Sequence, residues 1–302
     1  MEDFADKALN YWNQERLKKL TAGKKLILTP DKAANVLRVM SLLNSDASMS
    51  ANKVRKFRQI NHMLALLSED LKELSQKFKI VRIVDVGCGN SYMTVLLAWY
   101  FKEVLKHPLE CIGLDPNLKV ISASQQRAES LNYSEFLKFK VADIKTVEWM
   151  SLYNELFTTS DENTRPHLVI ALHACDTATD YALSFAVKNH ADRIAVAPCC
   201  QAELARKWKD LVNEENAFSP VFRSHHFRRE IAAEMTDVLR MLLLRSIGYE
   251  VTATEFVSLE HAMKNRLLLC KRRGAFLREA DKQYQDLKQS LGSVSIILEE
   301  LI

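Results

Sequence analysis

The sequence lacks a hydrophobic run long enough to cross a membrane, a low-complexity tract, and cysteines spaced as in disulfide-rich domains. Its most apolar late stretch, Val238 to Ile247, is short and is interrupted by Arg240 and Arg245. The first residues are acidic and contain no apolar signal core. The six cysteines lie mostly in strand-like segments, which suits a reducing compartment. We therefore expect a cytoplasmic protein with no membrane partner and no structural disulfides.

The charge balance leaves a nucleic-acid partner open. The 302 residues are 48% hydrophobic, enough for one large core or for one large and one small core, and the net charge is +4. Basic clusters lie at Lys53 to Arg58, Arg223 to Arg229 and Lys271 to Arg273. The first is near a predicted helix N-terminus, where cations are disfavoured, and the second combines cations with Phe227 in a predicted long loop. Each cluster fits either an RNA surface or an ordinary solvated face.

A glycine-rich turn stands between an apolar strand and an amphipathic helix. Val81, Ile83, Val84 and Val86 predict a buried parallel strand, and the turn Gly87-Cys88-Gly89-Asn90-Ser91 follows. A strand, a glycine turn and a helix N-terminus together form a site for a polar, nucleotide-like ligand. The turn alone is weak support, because many such matches are plain tight turns.

The pattern on either side of the turn predicts the organisation of the chain. Before it, apolar residues from Phe57 to Phe78 recur at helical spacing. After it, short apolar runs alternate with helices, which is typical of a parallel sheet. The last two strands are joined too closely to pair in parallel, so we expect an antiparallel hairpin. The predicted strands are Ile80–Val86, Glu110–Leu114, Leu137–Val141, His167–Leu172, Arg193–Ala197, Tyr249–Val257 and Arg266–Lys271.

Seven strands that end in an antiparallel hairpin resemble the layout of class I methyltransferases more than the six parallel strands of a dinucleotide-binding dehydrogenase. This layout implies a helical N-terminal region at 1–78 that selects the substrate, a SAM-binding methyltransferase domain at 79–274, SAM being S-adenosylmethionine, and a C-terminal helix at 275–302.

Three aspartates lie at strand ends or inside a strand near the turn. Asp115 ends the second strand, where a carboxylate accepts both ribose hydroxyls of an adenosine group, although Asp115-Pro116 is also a good turn. Asp143, after the third strand, is placed either to meet an adenine amino group or to cap a turn. Asp85 lies inside an apolar strand, so loop amides or the cationic end of a ligand must satisfy it.

The segment from Leu172 to Asp180 follows the fourth strand, where an open sheet binds its ligands. Methyl transfer needs the acceptor atom, the methyl carbon and sulfur in line, and a base if the acceptor holds its proton. His173 and Asp176 are the candidates for that base. A structural hydrogen-bonding role is the alternative for His173, and Asp180 is placed to stabilise the next helix.

Cysteines accompany this segment and the end of the fifth strand. Zinc suits the types of side chain at His173, Cys175, Cys199 and Cys200, but the spacing is not that of a standard ligand set. We therefore predict no metal and favour packed thiols over a thiolate nucleophile.

The motif from Asp85 to Gly89 resembles the SAM-binding motif of class I S-adenosylmethionine (SAM) methyltransferases. The residues from His173 to Leu183, followed by Cys199-Cys200, are similar to a subgroup that includes eukaryotic tRNA ribose 2′-O-methyltransferases and related methyltransferase-like proteins. The likeness covers about residues 80 to 272. Ser91 replaces a third glycine often found in this loop, and it can still cap the helix.

The resemblance implies a Rossmann-like seven-stranded α/β sheet, SAM as cofactor and RNA, tRNA or rRNA, as the favoured substrate. It also implies the roles of individual residues. His173 and Asp176 would form the transfer site, and the cofactor contacts would be Asp85, Gly87, Cys88, Gly89, Asn90, Asp115 and Asp143.

Other functions stay open at this point. A methyltransferase of this fold can act on protein or on a small molecule, and a degenerate one can be a noncatalytic SAM-binding module. A nicotinamide-dependent oxidoreductase is a further alternative, which the terminal hairpin disfavours. The sequence does not indicate the acceptor atom or the oligomeric state.

Overall fold

The computed structural model describes residues 2–158, 164–172, 174–198, 200–255 and 266–302. The strands in these ranges form one sheet in the order β3-β2-β1-β4-β5-β7-β6. The predicted seven-stranded α/β sheet is confirmed, and so is the helical N-terminal region. The strands are β1 Val81–Val86, β2 Leu109–Asp115, β3 Leu137–Val141, β4 Leu168–Ala171, β5 Arg193–Val196, β6 Tyr249–Glu255 and β7 Arg266–Arg272.

The direction of the strands follows from their connections. The pairs β2–β3, β1–β4 and β4–β5 are parallel, whereas β7 runs antiparallel to both β5 and β6. The predicted terminal hairpin is therefore confirmed. Every predicted strand limit agrees within one residue, except that the predicted end of β6, at 256 and 257, lies outside the described residues.

Two compact units make up the described chain. The first contains residues 2–82 and 88–141. The second contains residues 83–87, the described residues of 142–255, and residues 266–302. The helices of the first unit are α1 Glu2–Tyr11, α2 Gln14–Thr21, α3 Ala34–Val39, α4 Ala51–Lys77, α5 Tyr92–Trp99, which a π-helical turn Tyr100–Leu105 continues, and α6 Leu118–Ser130.

Helix α4 is the long helix that the apolar spacing predicts. Phe57, Leu64, Leu67 and Leu71 on its stripe are buried. Asn61 lies among them, and its Oδ1 accepts a hydrogen bond from Leu28 N at 2.9 Å. The stripe therefore carries a polar group that holds the preceding chain against the helix.

In the second unit, the helices are α7 Trp149–Leu156, α8 Thr177–Lys188, α9 Glu203–Lys209, α10 Ser219–Arg223, α11 His225–Ser246, α12 Arg278–Ser290 and α13 Ile297–Leu301. The segment expected as one C-terminal helix thus forms two. Helix α13 packs against α8, where Ser184 Oγ donates to Leu301 O at 3.0 Å.

The basic cluster Arg223 to Arg229 does not lie in a long loop, and that prediction is wrong. Helix α10 ends at Arg223 and α11 begins at His225, because no glycine or proline interrupts the helical stripe over 225–246. Arg228 is buried and donates to Phe222 O at 2.6 Å. At least one cation of this cluster is therefore part of the packing.

Among the described helices, none has both the length and the apolar character needed to cross a bilayer.

Candidate cofactor and acceptor site

The turn after β1 has an unusual backbone. Gly87, Gly89 and Ser91 have φ angles of +68°, +51° and +53°. Glycine adopts this left-handed region without steric cost, whereas serine rarely does. Ser91 precedes α5, but its hydroxyl makes no capping hydrogen bond. The expectation that Ser91 caps the helix with its side chain is thus wrong, because this backbone does not bring Oγ onto the helix amides.

Asp115 and Gly89 lie together in the first unit. Asp115 Oδ2 accepts from Gly89 N at 3.0 Å, and its Oδ1 accepts from Asn117 N at 2.9 Å. Arg127 also donates to Asn90 O at 3.3 Å. The carboxylate therefore holds the glycine turn, and each of its oxygens keeps further acceptor capacity.

Gly113 is a residue of this region that the sequence analysis missed. A Cβ atom built on Gly113 would lie 2.5 Å from the Phe139 ring and 3.2 Å from Cys88 Sγ. Cys88 N also donates to Leu114 O at 2.9 Å. A glycine in the middle of a predicted strand is the sign that backbone or side chains approach closely there.

Asp85 and Gly87 belong to the second unit. Asp85 is buried in β1 and pairs in register with Ile170 of β4. A Cβ atom at Gly87 would meet Ala174 N at an ordinary 3.9 Å, so glycine is favoured there by its φ angle and not by crowding. The ends of β1 and β4 are therefore neighbours, as a parallel pair requires.

Asp143 is exposed and forms a turn after β3. Its Oδ1 accepts from Lys145 N at 3.1 Å, and its carbonyl oxygen accepts from Thr146 N at 3.0 Å. The turn role considered for Asp143 is present, and its contact with an adenine group stays a prediction.

Asp176 joins the segment after β4 to the segment after β5. Its Oδ1 accepts from Ala202 N at 2.8 Å and from Glu203 N at 3.1 Å, and its Oδ2 accepts from Arg206 at 2.9 Å. Its own N donates to Cys200 O at 2.8 Å. Asp176 therefore caps the start of α9 and holds the two strand ends together.

The environment of Asp176 favours its ionised form. Burial raises its pKa, but the hydrogen bonds from Ala202, Arg206 and Glu203 and the charge of Arg206 outweigh burial, so the net pKa is lowered. A carboxylate with a lowered pKa is a weak proton acceptor. These contacts favour a role in ordering the loop over the predicted role as a base.

Arg240 forms a buried ionic network in the second unit. Its guanidinium contacts Asp180 Oδ2 at 2.5 Å and Asp237 Oδ1 at 3.2 Å, and it donates to Asp176 O at 3.1 Å. Gln201 also donates to Asp237 Oδ1, at 2.7 Å. This network links α8, α11 and the loops that follow β4 and β5.

The role of Arg240 was not predicted, because in the sequence the residue only interrupts an apolar stretch. The residue is 1% exposed. Burial lowers the pKa of Arg240, but the carboxylates of Asp180 and Asp237 raise it by more. The net pKa is therefore raised and the guanidinium stays charged. An aspartate three residues before an arginine on an apolar helix was the available sign of a buried pair.

His173 and Cys199 lie outside the described residues, so their predicted roles stay predictions. Cys175 and Cys200 are exposed thiols. In the described part of the chain, no group of three or more metal-ligating side chains is placed to hold an ion.

Sequence comparison identifies a family. The model of a family described as a methyltransferase domain matches residues 55–207, which is just over half of the chain. No curated protein has significant sequence similarity to this chain.

Solved structures of methyltransferases resemble the chain. Magnesium protoporphyrin IX methyltransferase of Synechocystis PCC 6803 with bound SAH is 15% identical, over 87% of this chain and 97% of that one, with a TM-score of 0.44. A putative O-methyltransferase from Klebsiella pneumoniae is 14% identical over 88% and 99%, with a TM-score of 0.46. M. capricolum TrmK in complex with SAH is 11% identical over 68% and 69%, with a TM-score of 0.37.

Proposed function

The chain belongs to this methyltransferase-domain family and is a SAM-dependent methyltransferase, and we propose that its acceptor is RNA. The distribution of charge carries the proposal. Residues 16–58 contain 11 Lys and Arg against two Asp, whereas the rest of the chain contains 31 Lys and Arg against 36 Asp and Glu. A positive region on an otherwise acidic chain is the electrostatic footprint of a nucleic-acid-binding protein.

The residues of the glycine turn fit SAM. The buried Ser91 hydroxyl has no hydrogen-bond partner, and a buried polar atom left this way costs free energy unless a bound group or water satisfies it. Asp115 presents carboxylate oxygens beside the turn, as ribose hydroxyls require. We propose that the cofactor contacts are Asp85, Gly87, Cys88, Gly89, Asn90, Asp115 and Asp143.

When bound, SAM supplies a methyl carbon activated by its sulfonium. Asp85 would then balance the positive charge of the ligand, because a buried carboxylate is stabilised by a cation. Asp115 orients the ribose while it holds Gly89, so that the turn and the ligand are positioned together. Alignment of this kind supplies much of the rate of an in-line transfer.

The segments after β4 and β5 are proposed to orient the acceptor. Asp176 orders them through its bonds to Ala202, Glu203 and Arg206. The buried Arg240 supports Asp176 through its backbone oxygen. If the acceptor must lose a proton, His173 is the proposed base, and Asp176 acts as a positioning residue.

We also propose that the reaction takes place in the cytoplasm. The six cysteines lie mostly in strand-like segments and not in disulfide-rich loops, which suits a reducing compartment.

Transfer of a labelled methyl group tests this function. Purified protein and labelled SAM are added to an extract of cells that lack the protein, which is then separated into RNA, protein and small molecules. We expect label in RNA, and its loss with Asp115→Ala but not with Asp286→Ala, an exposed control. Label in another fraction alone would overturn RNA as acceptor, and SAM binding without any transfer would favour a noncatalytic module.

A further inference from the structure

We propose that an exposed surface of the N-terminal helices binds the phosphate backbone of double-stranded RNA. This inference rests on the proposed function and names the part of the acceptor that the protein holds. The surface, called here the basic face, consists of Lys18, Lys19, Lys24, Lys25, Arg55, Lys56 and Arg58, all of them exposed.

Two long-range hydrogen bonds bring the two halves of the basic face together. Arg58 donates to Leu20 O at 3.2 Å, across 38 residues of sequence, and Leu28 N donates to Asn61 Oδ1 at 2.9 Å. Residues 20–28 are thus held along the first turns of α4. Cations positioned in advance lose less entropy when they bind a ligand than cations on a free tail do.

The start of α4 is positive for a second reason. Its first turn contains no acidic residue, and Lys53, Arg55 and Lys56 lie close to its N-terminus. Cations there add to the positive end of the helix dipole, which destabilises the helix. Lys18 and Lys19, in contrast, lie in the last turn of α2, where cations stabilise it. The helix dipole thus disfavours the cations at the start of α4, and an anionic partner would compensate for that cost.

The partner is a double helix because the basic face offers no stacking surface. Phe57 is the one aromatic residue of the fully described segment 16–58, and it is buried. Proteins that bind single strands without sequence preference stack bases on aromatic side chains, whereas double-stranded RNA is recognised through its shape, its phosphates and its 2′-hydroxyls.

A membrane surface fits the basic face poorly. Within 16–58, which the structure describes completely, no large hydrophobic side chain is exposed. Helices that lie on anionic membranes bury an apolar face among the lipids as well as attracting their head groups.

The test is binding of the full chain, without SAM, to an RNA hairpin of about 16 base pairs, measured by fluorescence anisotropy over a salt series. With about four phosphate contacts, we expect the affinity to fall about 100-fold between 50 and 200 mM salt. A single strand of equal length should bind at least tenfold more weakly.

A charge-neutralising variant locates the surface. Replacing Lys24, Lys25, Arg55 and Lys56 with Gln should reduce the affinity on the order of 100-fold at low salt and make the salt dependence shallower by roughly three to four contacts. The matched control replaces four other exposed lysines, Lys72, Lys79, Lys188 and Lys282, with Gln and changes the net charge equally. Its affinity should stay within about threefold of wild type.

Several results would overturn the inference. These are equal losses in the two quadruple variants, equal affinity for the single strand, and binding to anionic vesicles or an acidic protein but not to the hairpin. If the hairpin binds through the basic face but RNA receives no methyl group, the surface stands and the proposed acceptor fails. If RNA is methylated equally well by the basic-face variant at limiting RNA, the acceptor stands and the surface fails.

Discussion

Charged side chains serve opposite purposes in two regions of this protein. In the second unit, Arg240 is buried between Asp180 and Asp237, and each charge is met by another protein group. In the first unit, Lys24, Lys25 and their neighbours on the basic face are exposed to solvent. Because a buried charge must be compensated and an exposed one need not be, the first group contributes to folding and the second is available to a partner.

The largest effect is expected from Arg240→Met. The change removes the arginine that pairs with the buried Asp180 and leaves Asp237 paired with Arg266; removing one partner costs about 3–5 kcal/mol in similar buried pairs. Urea unfolding followed by circular dichroism measures the loss. Arg245→Met, at a half-buried arginine five residues later on the same helix, is the comparison. A loss below about 1 kcal/mol for Arg240→Met would show that the network does not stabilise the fold.

Asn61→Leu should have the next largest effect, because this buried side chain anchors the segment that carries part of the basic face. The variant leaves the buried Leu28 N–H without an acceptor, at a cost of about 1–3 kcal/mol. It should also weaken hairpin binding, since residues 20–28 lose an anchor on α4. Gln76→Leu, at an exposed position of α4, should change neither property. Unchanged RNA binding by a destabilised Asn61→Leu protein would contradict the link.

Asp176 tests whether an ionised carboxylate orders the acceptor loops. Asp176→Ala removes the cap of α9 and should cost about 1–2 kcal/mol, whereas Asp176→Asn keeps an acceptor oxygen and should cost less. If Asp176 only positions the loops, Asp176→Asn should also retain methyl transfer better than Asp176→Ala does. Complete loss of transfer in a folded Asp176→Asn protein would instead support a base.

The pH dependence of stability, compared between wild type and Asp176→Asn, is an independent test of the same role. Because the folded-state pKa of Asp176 is lowered, its ionised form contributes stability above the unfolded value of about 4 and loses it as the pH falls through the folded value. The difference in stability between wild type and Asp176→Asn should therefore be largest near neutral pH and should become smaller as the pH falls. A difference that is constant from about pH 7 to pH 3 would show that the charge contributes nothing.

The smallest effect on folding is expected where the effect on binding is largest. Neutralising Lys24, Lys25, Arg55 and Lys56 should change the free energy of unfolding by less than about 0.5 kcal/mol, because these side chains are exposed. A slight gain is expected from relieving Arg55 and Lys56 at the start of α4. Thermal unfolding at matched salt checks this, and a loss above about 1 kcal/mol would remove the contrast between the two regions.

Much of the architecture could be predicted because it depends on local periodicity. Apolar runs of strand length placed all seven strands within one residue where the structure describes them, and the short last connection predicted the antiparallel hairpin. The hydrogen bond between Asp115 and Gly89 was not predicted, although the carboxyl end of a strand and a glycine turn meet at one edge of a parallel sheet.

The errors occurred where the surroundings of a side chain decide its role. Arg240 interrupts an apolar stretch in the sequence but is a buried anchor in the fold. Serine is a common capping residue, but the backbone conformation of Ser91 leaves its hydroxyl without a hydrogen-bond partner. The charge of the Arg223–Arg229 cluster suggested a loop. The cluster is mostly helical, because no glycine or proline interrupts the sequence from 225 to 246.

The sequence by itself determined the order of the strands and helices, the glycine turn, the family and the concentration of cations in residues 16–58. These properties depend on spacing along the chain. Only the tertiary structure decided that Asp176 caps α9, that Asp180 and Asp237 enclose Arg240, and that residues 20–28 lie against α4. Those contacts join residues far apart in sequence, and their energy depends on burial and on distance, neither of which a linear pattern contains.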